Sequence, residues 1–292
     1  MAVLLRVSVL IPTYNRPDNL SEVLDSILKQ TTRPDEVIVV DDHTPTSKIR
    51  TVCREHAANF RQMSIDLKYI RNPRERSVNT ARNVGVEKSE GDIIFFLDDD
   101  MIPFEHFIQG ILDIFERYPM ALGVQGWMVD RAVYHHPLSE AIRRFFLLFY
   151  HTTNSCKYFE YPSTLTKIIN CQHLDGGCSA YRREVFSQFR FDENLKKSWN
   201  LGDQLFSYSI YQKHPLSLFI TPNAKVFHKG SKKGRMTGVR STRHGYRSRK
   251  YVLTGSFGFK GLLIFYWQNL GFFVIDLAIK VWRYFRLLGQ RF

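Results

Sequence analysis

Four short segments in the first third of the chain are apolar at nearly every position. They are residues 6–11, 36–40, 67–70 and 92–97, each bounded by polar turns. A strand that is apolar on both faces belongs to a parallel sheet with helices on both sides. Helical spacing of apolar residues over 17–30, and a helix capped by Ser77, complete the order strand–helix–strand–strand–helix–strand. The first 125 residues therefore predict a doubly wound α/β half, which binds its ligand at the carboxyl ends of the strands.

The next part of the chain predicts further elements of the same kind. A helix is expected over 103–118, a strand over 122–129 and an aromatic helix near 142–150. Residues 174–213 predict a strand, a short helix over 182–189, a loop, and a helix that begins near Gly202. The four cysteines show no CxxC spacing, which argues against a zinc ribbon or a disulfide scaffold. The apolar N-terminus lacks a basic region and a small-residue cleavage site, so it is interpreted as the first strand and not as a signal peptide.

Three consecutive carboxylates, Asp98 to Asp100, follow the fourth apolar segment directly. Like charges at this spacing repel one another, so a bound cation is one explanation for them. A hard divalent metal ion that holds a diphosphate through oxygen ligands fits this requirement. A solvated acidic turn that caps the helix expected at 103 is the alternative, since acids favour helix N-termini. The position of the triplet at the carboxyl end of a buried strand favours the metal site.

Polar groups also follow the first and second apolar segments. Tyr14, Asn15 and Arg16 supply a flat ring, an amide and a cation, the groups that stack on a nucleobase and contact its edges and phosphates. A plain turn is the alternative, because strands often end in Pro and Asn turns. Asp41 and Asp42 end the second segment, where a carboxylate can accept from a base N–H or a ribose hydroxyl. A strand-end turn over 44–46 is equally consistent with these two acids.

Taken in order with two later motifs, these strand ends resemble the family 2 inverting glycosyltransferases. The matching motifs are Val-Ser-Val-Leu-Ile-Pro-Thr-Tyr-Asn-Arg at 7–16, Ile-Val-Val-Asp-Asp at 38–42, Thr-Ala-Arg-Asn-Val-Gly at 80–85, Phe-Leu-Asp-Asp-Asp at 96–100 and Asp-Gly-Gly-Cys-Ser-Ala-Tyr-Arg-Arg-Glu at 175–184. The resemblance covers residues 5–230. It implies the nucleotide-diphospho-sugar transferase fold called GT-A, an α/β fold with a mixed, mainly parallel sheet between helices. It divides the chain into a GT-A domain over 1–230, with a nucleotide-binding half at 1–125 and an acceptor half at 126–230, and a basic, apolar, helical tail over 231–292.

The resemblance also implies which residues bind a nucleotide-diphosphate sugar donor. The expected donor contacts are Pro12, Thr13, Tyr14, Arg16, Asp41, Asn72, Arg82, Asp98, Asp99 and Gly177. Asp41 and Asn72 are expected beside the base, and Arg82 near the base or the acidic cluster. Gly177 is expected to let the backbone approach the donor sugar, because glycine has no side chain to obstruct it.

A divalent metal, Mg²⁺ or Mn²⁺, is implied by the same resemblance. Asp98 and Asp100 are its expected carboxylate ligands, and His228, at the end of a short strand, is its expected imidazole. An inverting transfer also needs a general base that takes the proton of the acceptor hydroxyl. Asp203 matches the base of the family, the Asp of a Glu-Asp pair that opens a helix, although Gly202 stands where that Glu is usual. A helix N-cap is the alternative role for Asp203.

The net positive charge of the chain comes from its last part. Residues 204–292 hold 16 lysine and arginine residues and one acid, Asp276. A mobile basic connector is expected over 225–250, and the apolar stretch 261–279 is long enough to span a bilayer core. The amides and the acid inside that stretch favour amphipathic helices on an anionic membrane surface. A transmembrane span or hairpin and a dimerisation helix remain open, and nucleic acid is not expected because no recognised nucleic-acid module accompanies the charge.

The sequence therefore predicts a metal-dependent, inverting glycosyltransferase that moves a sugar to a hydroxyl of a glycan or lipid-linked glycan. It is expected to lie peripherally at the cytoplasmic face of a membrane and to act in polysaccharide biosynthesis. Polyprenyl-phosphate sugar synthesis is the first alternative. A catalytically silent scaffold that binds nucleotide sugars is the second, and Gly202 is the residue that suggests it.

Overall fold

A computed structural model describes residues 5–130, 141–142, 145–147, 165–195, 201–231 and 238–289 of the chain. The first half alternates strands and helices: β1 (Val7–Thr13), α1 (Pro17–Leu28), β2 (Glu36–Asp41), α2 (Lys48–Gln62), β3 (Asp66–Arg71), α3 (Val78–Lys88) and β4 (Ile93–Leu97). The second half contains β5 (Met101–Pro103), α4 (Phe107–Arg117), β6 (Gly123–Met128), β7 (Ile169–Asn170), β8 (Cys178–Arg182), a 3-10 helix (Arg183–Ser187), α5 (Leu201–Lys213), β9 (Leu218–His228) and α6 (Gly238–Gly289).

The strands form one sheet in the order β3-β2-β1-β4-β8-β6-β9-β5, with β7 beside β9. The pairs among β1, β2, β3 and β4 are parallel, β8 runs antiparallel to β4 and β6, and β6 and β9 are parallel. Strands β1, β2 and β4 are buried at every position, because helices cover both faces of this part of the sheet. The predicted mixed α/β architecture with a parallel first half is confirmed.

One helix of the first half differs from the sequence prediction. The sequence predicts two consecutive strands after the first helix, and this order is wrong because α2 lies between β2 and β3. Its buried positions are spaced as on one helical face: Ile49, Val52, Cys53, His56 and Phe60. A cysteine and a histidine stand among them, and charged residues surround them, so the apolar periodicity is weak in the sequence.

Other boundaries differ for identifiable reasons. The helix expected from 103 begins at Phe107, because Met101–Pro103 forms β5 and pairs with the end of β9. The expected strand over 122–129, the short helix over 182–189 and the helix near Gly202 correspond to β6, the 3-10 helix and α5. Most of the aromatic helix expected near 142–150 lies outside the described residues.

The basic connector expected over 225–250 is not observed, because β9 continues to His228 and α6 begins at Gly238. Within α6 the backbone leaves the helical region at Gly258, which has φ +57° and ψ −133°. The two legs then pack against each other, since the rings of Tyr246 and Phe265 lie 4.6 Å apart and Arg249 Nη2 donates to Asn269 Oδ1 over 3.0 Å. We call this unit the α6 hairpin, with a first leg over 238–257 and a second leg over 259–289.

The α6 hairpin is attached to the rest of the chain through both legs. On the first leg, the Tyr251 side chain forms a hydrogen bond with the side chain of Asp192, in the loop that follows the 3-10 helix. On the second leg, Trp267 Nε1 donates to the Phe145 carbonyl over 2.8 Å. The hairpin therefore lies against the second half of the fold.

Candidate active site

The carboxyl ends of β1 and β4 lie side by side, and the acidic triplet meets the turn that follows β1. Thr13 Oγ1 donates to Asp99 Oδ2 over 2.7 Å, and Arg16 Nη1 donates to Asp99 Oδ1 at 2.7 Å and to Asp100 Oδ2 at 3.2 Å. Burial raises the pKa of Asp99 to about 6, although Arg16 acts to lower it. Asp99 is thus enclosed by protein partners and orients Thr13 and Arg16 at the edge of the sheet.

Asp100 lies where β5 meets the end of β9. Its side chain is almost fully buried, and Oδ2 also accepts from the backbone N–H of Ser231 at 3.1 Å. His228 Nε2 is 3.6 Å from Asp100 Oδ1, because β5 and β9 pair with Met101 opposite His228. The fold therefore brings together a carboxylate and an imidazole that are far apart in the sequence.

The predicted metal ligands do not all converge on one point. Within the residues that the structure describes, no group of three or more Cys, His, Asp or Glu side chains is arranged to hold a metal ion. Asp98 is engaged elsewhere, since its Oδ1 accepts from Arg82 Nη2 at 3.2 Å. Asp100 and His228 offer the oxygen and nitrogen donors that Mn²⁺ accepts, and such an ion takes further ligands from substrate phosphates and water. These two side chains fit a metal that binds together with a diphosphate.

Arg82 joins the acidic triplet to α5. Its buried guanidinium donates from Nη1 to Asp203 Oδ1 and from Nη2 to Asp98 Oδ1, and it lies 5.4 Å from the ring centre of Phe191. Burial raises the pKa of Asp203 to about 6; Arg82 opposes this rise, whereas Asp98 and Asp175 add to it. At neutral pH Asp203 is therefore mainly a carboxylate with a pKa suited to accepting a proton.

Two glycines before β8 allow both of these carboxylates to lie close to the backbone. A Cβ atom at Gly176 would collide with the Asp203 carboxylate, and one at Gly177 would lie 2.6 Å from Asp98 Oδ2. The Asp98 N–H donates to the Gly177 carbonyl over 3.0 Å. The Gly-Gly pair thus packs against the Asp98 and Asp203 carboxylates through bare backbone, as a close approach requires.

Asp41 and Asn72 lie at the ends of β2 and β3, and both are buried. Asp41 Oδ1 accepts from the Thr44 N–H at 2.8 Å, and Oδ2 accepts from the Tyr69 hydroxyl at 2.9 Å. Burial, aided by this bond to Asp41, raises the pKa of Tyr69 to about 12. Asn72 Nδ2 donates to Asp42 Oδ1 over 2.8 Å. These side chains fix the shape of the two strand ends, and their contact with a base stays a prediction.

Pro12 is buried in β1, and Tyr14, just beyond the strand, is half-buried. The exposed guanidinium of Arg76 lies 4.4 Å from the ring centre of Tyr14. Arg76 is not among the residues predicted from the sequence, where the Arg-Glu-Arg run at 74–76 is the one signal for it. Together the two side chains present a planar, cationic surface beside the strand ends.

The family model described as glycosyl transferase family 2 matches residues 8–190, which is more than half of the chain. The chain belongs to glycosyl transferase family 2. The resemblance carried by its motifs is thereby confirmed, and the members of this family are inverting enzymes.

Curated relatives match the family 2 chain over shorter stretches. An uncharacterized glycosyltransferase of Haemophilus influenzae is 34% identical over 113 residues, which are 39% of this chain and 35% of that protein. The glucosyl-dolichyl phosphate glucuronosyltransferase of Haloferax volcanii is 29% identical over 135 residues, 46% of this chain and 41% of that protein. The matched part of this chain thus spans less than half the length of either relative.

Solved structures share the fold of the family 2 chain at low sequence identity. The crystal structure of GalNAc-T7 with UDP, GalNAc and Mn²⁺ has a TM-score of 0.61 and 18% identity, and the match covers 85% of this chain and 48% of that one. At this identity the likeness shows the fold alone. The fold is GT-A, as the motifs predict.

Proposed function

We propose that this family 2 chain transfers a sugar from a nucleotide-diphosphate donor to a hydroxyl group of a glycan or lipid-linked glycan, with inversion at the anomeric carbon. The observation that carries the proposal is the buried Asp203 carboxylate, which contacts Arg82 beside the end of β4. An inverting displacement needs one base on the acceptor side and charge stabilisation on the donor side. Asp203 supplies the first requirement, and the Arg16–Asp100–His228 group supports the second.

Asp203 is proposed as the general base. As the acceptor oxygen forms its bond to the anomeric carbon, the hydroxyl proton passes to Asp203. The bond between the anomeric carbon and the diphosphate oxygen breaks, and its electron pair leaves with the nucleoside diphosphate. Arg82 keeps Asp203 ionised before the transfer because a cation beside a carboxylate favours the charged form.

The donor is proposed to bind along the carboxyl ends of β1, β2 and β4. Tyr14 and Arg76 supply a flat cationic surface suited to a base, and Arg16 supplies a cation suited to phosphate. The remaining donor contacts are those expected from the sequence: Pro12, Thr13, Asp41, Asn72, Arg82, Asp98, Asp99 and Gly177.

A divalent cation, Mg²⁺ or Mn²⁺, is proposed as the cofactor. Asp100 and His228 would hold it, with Asp98 as the further ligand expected from the sequence. When bound, such an ion stabilises the negative charge of the leaving diphosphate. The presence of Mn²⁺ and UDP in the GalNAc-T7 structure supports this choice.

The α6 hairpin is proposed to place the enzyme peripherally on an anionic membrane surface, at the cytoplasmic face. Its segment His244–Ala278, which turns back at Gly258, has the length and apolar composition of a membrane-associated helix. On the second leg, large apolar side chains three or four residues apart are about half exposed or more: Leu263, Tyr266, Leu270 and Phe273. Arg247 and Lys250 are exposed on the first leg. Exposed aromatic residues beside basic ones are typical of an interfacial segment, which supports the division into a GT-A domain over 1–230 and a tail over 231–292.

The proposed function is tested by assaying the purified chain with a panel of nucleotide sugars, with Mg²⁺ or Mn²⁺, and with free and lipid-linked glycan acceptors. The expected product has the inverted anomeric configuration, and Asp203→Asn is the inactive control. If the chain binds a donor but neither transfers its sugar nor hydrolyses it, the silent scaffold is favoured. A product on polyprenyl phosphate that persists in Asp203→Asn would favour the lipid-phosphate synthase.

A further inference from the structure

Gly202, the residue before Asp203 in α5, lies directly against Asn79 of α3. A Cβ atom on Gly202 would be 2.5 Å from Asn79 Oδ1, 2.7 Å from Nδ2 and 3.0 Å from Cγ. These three atoms are the amide group of the Asn79 side chain. Asn79 therefore occupies the volume that any side chain at position 202 would need, including the Glu that the motif resemblance leads one to expect.

The Asn79 side chain is held in place and fully enclosed. It is 0% exposed, and Nδ2 donates to the carbonyls of Asp192 at 2.8 Å and Leu195 at 3.5 Å. Its Oδ1 accepts no hydrogen bond from the part of the chain that the structure describes. Among the described residues, this oxygen makes a packing contact with Gly202 and no hydrogen bond.

Asn79 and Arg82 lie three residues apart in α3 and share one helix face. That face meets two consecutive residues of α5: Asn79 packs on Gly202, and Arg82 contacts Asp203. The Asn79 amide therefore fills the space between α3 and the first turn of α5 at this point. The adjacent contact on the same two helices is the one between Arg82 and Asp203.

We infer that Asn79 is a positioning residue for Asp203, acting through its contact with Gly202. The inference rests on the proposed function, because it assigns Asn79 to the geometry of the proposed base. Asn79 is fully buried, so it acts through α5 and touches neither the donor nor the acceptor.

The first variant is Asn79→Ala, which removes the three atoms that touch Gly202. We expect kcat for transfer to fall at least tenfold while the donor Kd changes less than twofold. We also expect the acid limb of the pH–kcat profile to move to higher pH. Without the amide the first turn of α5 loses its fixed contact with α3, so Asp203 would no longer hold its position against Arg82, whereas Asp98 and Asp175 would still disfavour its ionised form. Asn79→Ser is the second variant, in case the alanine protein does not fold.

The second pair of variants tests the contact itself. Gly202→Ala should lower both Tm and kcat because its methyl group meets the Asn79 amide. In the double variant Gly202→Ala/Asn79→Ala, Tm and kcat should rise from the values of Gly202→Ala at least to those of Asn79→Ala alone. The reason is that the amide atoms that collide with the new methyl group are absent. A double variant as impaired as the sum of the two single changes would overturn the inference.

Gln30→Ala is the matched control for loss of a buried amide. Gln30 is buried, its Nε2 donates to the Phe104 carbonyl at 2.8 Å, and its Oε1 accepts from the Ile108 N–H at 3.1 Å. It follows the C-terminal end of α1, whereas Arg16 and the candidate site lie at the other end of that helix. Gln30→Ala should lower Tm and leave kcat and its pH profile unchanged.

The outcomes separate this inference from the proposed function. If Asn79→Ala lowers Tm but keeps the wild-type kcat and pH profile, as Gln30→Ala should, Asn79 is only structural and the inference fails while the proposed function stands. If the wild-type chain transfers no sugar from any donor, the proposed function fails and the inference fails with it.

Discussion

Arg82 Nη1 donates a hydrogen bond to Asp203 Oδ1 at a place where the two side chains are 2% and 11% exposed. Neither charge is well solvated there, so each depends on the other, and removing one partner of such a pair is strongly destabilising. The pair also joins α3 to α5, whose residues are distant in the sequence. A change in this contact is therefore expected to act on the chemical step and on the fold together.

Asp203→Asn should lower sugar transfer by about 10²- to 10⁴-fold, the usual contribution of a general base. Asparagine keeps the size of the side chain but cannot accept the proton. Donor affinity, measured by calorimetry, should be nearly unchanged, because asparagine can still accept from Arg82 and most of the proposed donor contacts lie at the ends of β1, β2 and β4. Transfer at close to the wild-type rate would remove Asp203 as the base, and Asp175→Asn would then be tested beside it.

The transfer rate should fall as the pH drops below about 6. Burial raises the pKa of Asp203 to about 6, so acid protonates the carboxylate that must accept the proton from the acceptor. Below that pKa, kcat/KM should fall by about tenfold for each pH unit. A pH–kcat/KM profile, which reports the ligand-free enzyme, checks this, and a flat profile down to about pH 4.5 would contradict the assignment. Donor affinity measured over the same range separates Asp203 from Asp99, whose pKa burial also raises to about 6.

Asp100→Ala should abolish the effect of Mn²⁺ on donor nucleotide affinity. Removing this carboxylate leaves His228 as the remaining member of the proposed ligand pair, so the ion and the diphosphate should both bind more weakly. Calorimetry with nucleotide, with and without Mn²⁺, measures the difference. Asp113→Ala, a change on the exposed face of α4, is the control and should behave as wild type. Unchanged metal-linked affinity in folded Asp100→Ala would exclude Asp100 from the site.

Phe273→Glu in the second leg of the α6 hairpin should weaken binding to anionic vesicles by at least tenfold in a flotation assay. The substitution removes exposed apolar area and adds a charge that anionic lipid repels. Binding by the wild-type chain should also weaken with added salt, because screening reduces the attraction of its basic residues. Met120→Glu is the control, since Met120 is about as exposed as Phe273 and lies in the turn after α4. Binding to neither anionic nor neutral vesicles, with a concentration-dependent dimer, would favour a dimerisation helix.

Most of the parallel half of the sheet is predictable from the sequence, because β1, β2 and β4 are apolar on both faces and each is followed by a short polar motif. These patterns alone are enough to place Asp41, the acidic triplet and the residues after β1 at one edge of the sheet. Helix α2 could not be predicted in this way, because its buried face includes Cys53 and His56 among charged neighbours. The predicted start of α4 is wrong because β5 depends on pairing with β9, which is distant in the sequence.

In the candidate site, too, features set by neighbouring residues in the sequence could be predicted, whereas contacts between distant segments could not. The Asp203 motif is local and could be recognised, whereas the contact of Asn79 with Gly202 depends on how α3 packs against α5. Similarly, nothing in the spacing of Arg76 and Tyr14 indicates that the two side chains stack. The binding roles of the individual residues stay predictions until the variants are measured.

Tyr251 on the first leg of the α6 hairpin is bonded to Asp192, and the backbone carbonyl of Asp192 accepts from Asn79, beside the proposed base. The tail and Asn79 are thus attached to the same residue, Asp192. If the apolar leg rests on a bilayer as proposed, this attachment would set the distance of Asp203 from the lipid headgroups. Acceptors would then be selected by the distance of their sugar hydroxyl from the membrane, because only a hydroxyl at the level of Asp203 could give up its proton to it.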